Sequence, residues 1–477
     1  MTKLSRGATP DICQLSAIEM ARRIRAKDLS ARETVSAHLK QIKRVNPSVN
    51  AIVTLIAEQA FDQAARADEH LARGAPLGLL HGLPIAHKDL QPTRGVRTTF
   101  GSPIYKDFIP AADSLLVERV REAGAILLGK TNTPEFGAGS QTFNEVFGTT
   151  LNPYDVSKTC GGSSGGAAVA LACRMLPIAD GSDLGASLRN PANFCNVVGF
   201  RPSPGRVPTW PSPLGWWNLS VEGPMARTVA DVAFFLSALA GPDSRAPISI
   251  EEPGSRFAAP LGRDFRGVRV AWWKDLGGLP FEPSVREIVN AQRSVFESLG
   301  CVVEEAEPDF SGADETFKTL RFWRSCLASL ALPAESLPLV KDTIRWEVEC
   351  GKKLTAADVG MAEMKRTELY HRVRRFMERY EFFVLPVNQV PPFDVTQHYP
   401  GEIARVKMQT YIDWMKSCYY ISLVGNPAIS VPCGFTSEGL PVGIQIVGRH
   451  HDDWGVLQMA HAFEQARNLP DCPPPVV

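Results

Sequence analysis

Apolar residues recur every three or four positions near the start of the chain, between residues 15 and 74. Met20, Ala21 and Ile24 give one example, and this spacing predicts amphipathic helices. The pair Asn46-Pro47 is expected to end one of these helices, because proline disrupts a helix interior. Helical spacing returns at residues 167–175, 231–239, 285–299 and 454–466.

Shorter apolar runs between these helices predict buried strands. One run covers residues 79–86 and ends in Leu83-Pro84-Ile85-Ala86, and others lie at 176–179, 267–273 and 302–305. Residues 421–448 are again apolar and are expected to complete a central sheet. Strands that alternate with helices in this way are typical of the α/β fold class.

The composition says little about the fold, but it excludes several classes of function. The 477 residues include 51 Lys plus Arg and 51 Asp plus Glu, so no overall field attracts nucleic acid or an anionic membrane surface. No apolar run approaches the roughly 18 residues of a membrane span, and residues 1–14 lack the apolar centre of a secretory signal. The ten cysteines form no C-x-x-C pair, which indicates reduced thiols in a cytoplasm and argues against a disulfide framework or a zinc site.

Two glycine-dense clusters, each built around serine, are the most unusual stretches of the sequence. The first, Gly161-Gly162-Ser163-Ser164-Gly165-Gly166, predicts a backbone that a Cβ atom would not allow or that a neighbour approaches closely. The second, Gly181-Ser182-Asp183-Leu184-Gly185-Ala186-Ser187, ends at a turn where several backbone N–H groups can converge, as an oxyanion requires. Two glycine turns in a strand-helix-strand unit would explain either cluster without any chemistry.

Other motifs fit the first cluster poorly. A phosphate-binding loop needs Lys-Ser or Lys-Thr after its glycines, whereas Gly166 is followed by Ala167-Ala168. The G-x-S-x-G string around Ser163 matches a nucleophile elbow, but the residues before it are polar and broken by proline and make a poor strand. No serine is followed three positions later by lysine, which excludes the S-x-x-K pattern.

A third motif accompanies these clusters. It is HGLPIAHKDL at residues 81–90, whose Lys88 precedes Ser163 by 75 positions, while Ser187 follows Ser163 by 24. With GKTNTPEFG, VEGPMARTVADVA, NPAISVPCGF and GLPVGIQIVG, the chain resembles the amidase signature family over nearly its whole length. The resemblance implies a three-layer α/β/α fold with a large mixed, twisted central sheet, and the hydrolysis of amides.

The resemblance also implies the role of each site residue. Ser187 is expected to be the nucleophile, Ser163 the proton relay, preceded by a cis peptide bond at Gly162-Ser163, and Lys88 the base. The sequence pattern alone would instead place Lys88 in solvent or beside Asp89, so the catalytic role requires that it be buried and neutral. The oxyanion is expected to bind the N–H groups of Leu184, Gly185, Ala186 and Ser187, on a turn supported by an ion pair between Asp183 and Arg189.

Specificity is expected to come from less family-like segments. Trp216 and Trp217 are predicted to line an apolar or aromatic pocket, although core packing would explain them equally well. We expect a single domain over residues 1–477, with a helical lead-in (1–75), a catalytic signature core (76–240) and a variable segment (311–407) over the pocket. Small apolar or aryl amides are the expected substrates, with anilides, esters and carbamates (urethanes) included, and no metal or organic cofactor is implied.

Three other hypotheses stay open at this stage. One is a family subclass, the tRNA-dependent amidotransferase subunit, although that subclass has Ser-Leu-Asp-Gln where this chain has Asn218-Leu219-Ser220-Val221-Glu222. The second is an α/β-hydrolase-like esterase in which Ser163 is the nucleophile and a late histidine (His450, His451 or His461) is the base. The third is a binding protein without activity. For the hydrolase itself, the expected partner is a small-molecule amide, ester or carbamate, without nucleic acid or membrane, and self-association as a homodimer is left open.

Overall fold

An eight-stranded mixed sheet forms the centre of the computed structural model, which describes residues 11–470 and 472–477. The strands of the described chain are β1 (Ile52–Leu55), β2 (Pro84–Lys88), β3 (Ile126–Thr131), β4 (Phe143–Asn144), β5 (Gly148–Thr149), β6 (Ile178–Asp183), β7 (Val198–Arg201), β8 (Val221–Ala226), β9 (Arg269–Trp272), β10 (Val302–Glu305), β11 (Phe382–Pro386), β12 (Glu402–Ile403), β13 (Val406–Lys407), β14 (Ala428–Phe435) and β15 (Pro441–Val447). The α-helices are α1 (Ala17–Arg25), α2 (Ala31–Val49), α3 (Ala57–Ala72), α4 (Leu115–Glu122), α5 (Gly165–Ala172), α6 (Arg189–Phe194), α7 (Val229–Leu239), α8 (Pro283–Ala291), α9 (Arg293–Ser298), α10 (Ala313–Ser329), α11 (Asp342–Lys352), α12 (Ala356–Arg379), α13 (Lys416–Val424) and α14 (Asp453–Ala466).

The strand order of the large sheet is β10-β9-β11-β15-β14-β7-β8-β6. Strand β9 runs parallel to both its neighbours, whereas the pairs from β11 to β6 are antiparallel. Helices pack on both faces of the sheet, and its strands are largely buried except for the edge strand β10. The predicted three-layer α/β/α fold with a large mixed sheet is therefore confirmed.

A smaller sheet with the order β1-β3-β2 lies beside β6, at the edge of the large one. Asp180 of β6 joins the two sheets, because its carboxylate accepts from the backbone N–H of Lys88 (3.1 Å) and bonds the ring of His87 (2.7 Å). The end of β2, which carries Lys88, is thereby fixed against the strand that leads to the second glycine cluster.

The expected break at Asn46-Pro47 was wrong, since α2 continues to Val49 and ends at Asn50, which has a positive φ of 52°. Pro47 removes one backbone hydrogen bond from the last turn of α2, and the helix ends two residues later rather than at the proline itself. The side chain of Asn46 bonds the backbone of Ala51 and Ile52 beyond the helix end.

Three other segments differ from the expectation. Residues 52–55 of the helical lead-in form strand β1, as their β-branched side chains favour. The helix expected at 285–299 is two helices that meet at Gln292, and residues 421–424 belong to α13 rather than to a strand. The first ten residues of the lead-in lie outside the described residues. Among the described helices, none combines the length and apolar character needed to cross a membrane.

Candidate active site

Lys88 is buried at the end of β2, with no solvent-exposed surface. Its Nζ donates to the hydroxyls of Ser163 (2.7 Å), Ser164 (2.9 Å) and Ser182 (3.0 Å). The neighbouring Asp89 accepts instead from the backbone N–H and hydroxyl of Thr99, so it does not form the ion pair that the local sequence would suggest. Lys88 is therefore surrounded by hydroxyl groups, with its first hydrogen-bond partner in the glycine-serine loop.

Burial lowers the pKa of Lys88 from its ordinary 10.5 to about 7, although Asp180, Asp183 and Glu222 act to raise it. An amine with a pKa near neutrality is unprotonated in a large fraction of molecules and can accept a proton. The geometry and the pKa together make Lys88 competent as a base that acts on Ser163.

The first glycine cluster is shaped by its backbone. The Gly162–Ser163 peptide bond is cis, and Gly161 has a φ of +73°, a conformation that favours glycine. A Cβ atom at Gly166 would lie 2.3 Å from the backbone nitrogen of Asn132, so helix α5 can only pack this closely without a side chain there. Glycine is thus needed both to turn the chain and to seat α5 under the loop.

Ser187 lies in the turn between β6 and α6 and is partly exposed to the same cavity that Ser163 lines. Within the described residues, no acceptor bonds the backbone N–H groups of Gly185, Ala186 and Ser187. The N–H of Leu184 likewise has no acceptor among the described residues, so all four donors lie unpaired in the turn that carries Ser187, and unpaired backbone N–H groups can stabilise an oxyanion. Leu184 lines the cavity with them.

An ion-pair network supports this turn from below. Arg189 donates to both carboxylate oxygens of Asp183 (3.0 Å each) and to the carbonyl oxygen of Gly185 (2.9 Å). Arg201 of β7 binds the same carboxylate at 3.3 Å, and all three charged side chains are fully buried. Burial alone would raise the pKa of Asp183, but the two guanidinium groups outweigh it and keep the carboxylate ionised.

The cavity above Ser187 has a volume of about 580 Å³. Trp217 lines it and packs against Trp323 with ring centroids 5.4 Å apart, whereas Trp216 is 79% exposed and is not part of the cavity wall. Adjacent residues of this loop project in different directions. Of the two tryptophans expected in the pocket, only Trp217 therefore lines it. Glu222 also lines the cavity, accepts from Gln91 (2.7 Å), and has a pKa that burial raises to about 7.

The late histidines lie elsewhere. His450 and His451 line a separate pocket, and His461 is on α14. Among the described residues that line the cavity with Ser163 and Ser187, none is a histidine. The geometry offers no partner for a Ser-His-Asp triad at Ser163.

Sequence reasoning missed several groups around Lys88 and Ser187. Ser164 and Ser182 stand in the glycine clusters, but nothing in their spacing distinguished them as lysine partners. Asp180 and Glu222 join the site only because strands β6 and β8 pair, and Arg201 joins it because β7 lies next to β8. None of these pairings could be predicted from the sequence. The groups missed in this way are Ser164, Asp180, Ser182, Arg201 and Glu222.

Fold and site together are those of an amide-hydrolysing enzyme, and comparison with known proteins gives the family. The Amidase family matches residues 33–457, and the chain belongs to this family, the amidase signature enzymes. It is 36% identical over 474 residues to an acylamidase from Rhodococcus erythropolis (96% of this chain, 97% of the relative). It is also 36% identical over 470 residues to a glutamyl-tRNA(Gln) amidotransferase subunit from Synechococcus sp. strain CC9605 (94% and 95%). The crystal structure of a bacterial aryl acylamidase of the same family superposes with a TM-score of 0.89 at 28% identity, covering 95% of this chain and 96% of the other.

Proposed function

We propose that the protein hydrolyses small apolar or aryl amides through an acyl-enzyme on Ser187. The observation that carries this proposal is the buried, 2.7 Å hydrogen bond from Lys88 to Ser163, in a cavity that Ser187 also lines. The similarity to an acylamidase and to an aryl acylamidase structure supports the same substrate class.

In the proposed reaction, the Oγ of Ser187 attacks the amide carbonyl while Ser163 accepts its proton and passes its own proton to Lys88. A hydroxyl suits this relay because it donates and accepts at once. The negative oxygen that forms is stabilised by the unpaired N–H groups of Leu184, Gly185, Ala186 and Ser187. The C–N bond then breaks as the proton returns through Ser163 to the leaving nitrogen.

The second half of the reaction reverses the proton path. Water attacks the ester carbonyl on Ser187, its proton moves through Ser163 to Lys88, and the proton returns to Oγ as the carboxylic acid leaves. The net reaction consumes one water and yields an acid and an amine. Because the relay can protonate any leaving group at this position, anilides, esters and carbamates are included in the proposal.

The cavity supports a preference for apolar and aryl groups, since Trp217 lines it together with aliphatic side chains. Residues of α10 and α11 also line it, which supports the proposal that segment 311–407 determines specificity within a single domain. The ten free cysteines support a cytoplasmic location, and a homodimer is left open.

An amidotransferase-type subunit is the second candidate, because several relatives carry that name. Such a subunit would act on glutamine together with partner chains, whereas an acylamidase acts alone on aryl amides. The string Asn218-Leu219-Ser220-Val221-Glu222 and the aromatic side chain of Trp217 in the cavity favour the stand-alone enzyme.

The two candidates separate in one assay. The purified chain, without other subunits, is given p-nitroanilides, the matching p-nitrophenyl esters and carbamates, and glutamine. We expect release of p-nitroaniline, a loss of at least about 10⁴-fold in Ser187→Ala, and no change in the exposed control Ser294→Ala. Hydrolysis of glutamine alone would favour the amidotransferase reading, and anilide hydrolysis that survives Ser187→Ala would contradict the proposal.

A further inference from the structure

One part of the cavity wall carries more positive than negative charge. This basic wall consists of Arg321, Arg324 and Ser325 from α10 and Glu347 from α11, all of which line the cavity. It contains two guanidinium groups and one carboxylate. The charge available to a ligand therefore depends on whether Glu347 neutralises Arg321 or Arg324.

Glu347 is fully engaged by other groups. Its Oε1 accepts from Arg321 (2.5 Å) and from the hydroxyl of Tyr411, and its Oε2 accepts from Ser325 (2.6 Å). Arg321 also donates to the Tyr411 hydroxyl at 2.8 Å. Arg321 and Glu347 therefore form a closed, mutually neutral pair.

Arg324 has no such partner. In the described part of the chain, no carboxylate lies within 4.0 Å of its guanidinium group and no acceptor takes a hydrogen bond from it, although the side chain is partly buried. Burial and the neighbouring charge of Arg321 lower the pKa of Arg324 from its ordinary 12.5, and the carboxylate of Glu347 acts in the opposite direction without outweighing them. A guanidinium group remains protonated even so, and a partly buried cation without a counter-charge is unfavourable.

The remaining charged groups nearby do not cancel this cation. Lys341 lies over the ring of Phe143 (4.0 Å to its centroid) and adds positive charge. The other carboxylate among the cavity-lining residues, Glu222, is opposite Ser182 in the β6–β8 ladder and is bonded to Gln91, so it belongs to the reaction centre. The excess positive charge at Arg324 is available to a ligand.

We propose that Arg324 binds a carboxylate of the substrate, at a distance from the amide that Ser187 attacks. The planar fork of a guanidinium group matches a carboxylate through two parallel hydrogen bonds, and Leu327 and Ala328 beside it suit an apolar linker. The preferred substrates are then amides with an anionic end, such as monoanilides of dicarboxylic acids. This inference rests on the proposed amide hydrolysis and specifies its substrate class.

The kinetic test compares neutral and anionic substrates of equal length. Anilides of butyric, valeric and caproic acid are set beside the monoanilides of succinic, glutaric and adipic acid, and acetanilide beside 4-acetamidobenzoate. We expect the wild type to favour at least one anionic member over its neutral partner by about 10-fold or more in kcat/KM. Arg324→Gln should lower kcat/KM for that member by about 10- to 100-fold, the range of a charge-assisted hydrogen bond, and leave the neutral partner within about 3-fold.

Two further variants test the charge itself. Arg324→Lys should retain part of the preference, and Arg324→Glu should reverse it in favour of an amine-bearing anilide. Arg375→Gln, which changes an exposed arginine on α12, is the control and should behave as wild type. Equal loss on neutral and anionic substrates in Arg324→Gln, or no anionic preference in the wild type, would overturn the inference while leaving amide hydrolysis intact.

A binding measurement keeps the test independent of turnover. Ser187→Ala is titrated calorimetrically with glutaric monoanilide and with valeranilide, in the presence and absence of Arg324→Gln. The inference predicts a rise of about 10- to 100-fold in Kd for the anionic ligand only. If the anionic ligand binds no better than the neutral one, Arg324 does not recognise a carboxylate, whatever the enzyme hydrolyses.

Discussion

Replacing Lys88 by methionine should remove activity and yet stabilise the fold near neutral pH. Lys88 has no exposed surface, and burial lowers its pKa from 10.5 to about 7. In the unfolded chain the amine is protonated at pH 7, so folding must either bury the charge or release the proton. At about 1.4 kcal/mol for each pH unit between the two pKa values, the full cost to the folded state is about 5 kcal/mol, and about 4 kcal/mol of it applies at pH 7, where half of the folded molecules have released the proton.

Removing the amine relieves this cost, but it also removes the hydrogen bonds that Lys88 forms in the folded protein. Lys88 forms hydrogen bonds with three serine hydroxyls, donating to all three when protonated and accepting from one of them when neutral, and each bond contributes about 1 kcal/mol net. Methionine is of similar length and fills the same space without charge. The expected result is that Lys88→Met is about 1 kcal/mol more stable than wild type at pH 7.

The pH dependence provides the sharper test. Between pH 7 and 10.5 the unfolded chain holds a proton that folded Lys88 has released, so the wild-type free energy of unfolding rises with pH. At pH 9 the cost of Lys88 falls to about 2 kcal/mol, and the variant should then be about 1 kcal/mol less stable than wild type. The sign of the difference therefore reverses between pH 7 and pH 9.

Urea unfolding followed by tryptophan fluorescence at both pH values measures this difference. Lys40→Met, an exposed position in α2, is the control and should show no pH-dependent difference. A Lys88→Met protein that is less stable than wild type by the same amount at pH 7 and pH 9 would mean that Lys88 remains charged in the folded protein.

Three further outcomes follow from the site. The kcat/KM of the wild type should rise as pH increases through about 7, because Lys88 must lose its proton to act as a base. Glu222→Gln should shift this rise to lower pH, because it removes a negative charge that raises the Lys88 pKa. A rise at the same pH in the variant would mean that Glu222 does not influence the Lys88 pKa. Asp183→Asn should lower the free energy of unfolding in urea by about 3–5 kcal/mol, since it leaves two buried guanidinium groups without a carboxylate; a loss below about 1 kcal/mol would contradict this. Trp217→Ala should raise KM for anilides about 10-fold but leave aliphatic amides nearly unchanged, and equal effects on both would remove its role in aryl binding.

The fold class could be predicted because strands and helices alternate with clear apolar periods. Boundaries were less accessible where tertiary contacts override local preference. Pro47 shows a separate, local source of error, because a proline in the last turn need not end the helix at once and α2 continues to Val49. Gln292 divides a helix whose apolar spacing runs through it without interruption.

The reaction centre, like the fold, could be predicted only in part from the sequence. The glycine clusters marked the two loops that carry Ser163 and Ser187, and the resemblance to the family singled out Lys88 and supplied the expected roles. The structure hydrogen-bonds Lys88 to Ser163 and places Ser163 and Ser187 on one cavity. The burial of Lys88 could not be predicted locally, because it results from two sheets that meet through Asp180. The absence of a carboxylate beside Arg324 could not be predicted from the sequence either, because it depends on which side chains the fold brings near the guanidinium group.

The central claim is that Ser187 is the nucleophile and that Lys88 activates it through Ser163. The most direct measurement is intact-protein mass and peptide mapping after treatment with a serine-directed phosphonylating or sulfonylating reagent. We expect one adduct on Ser187, none in Ser187→Ala, and greatly slowed labelling in Lys88→Ala at pH 8. An adduct on Ser163 that forms at the same rate without Lys88 would contradict it.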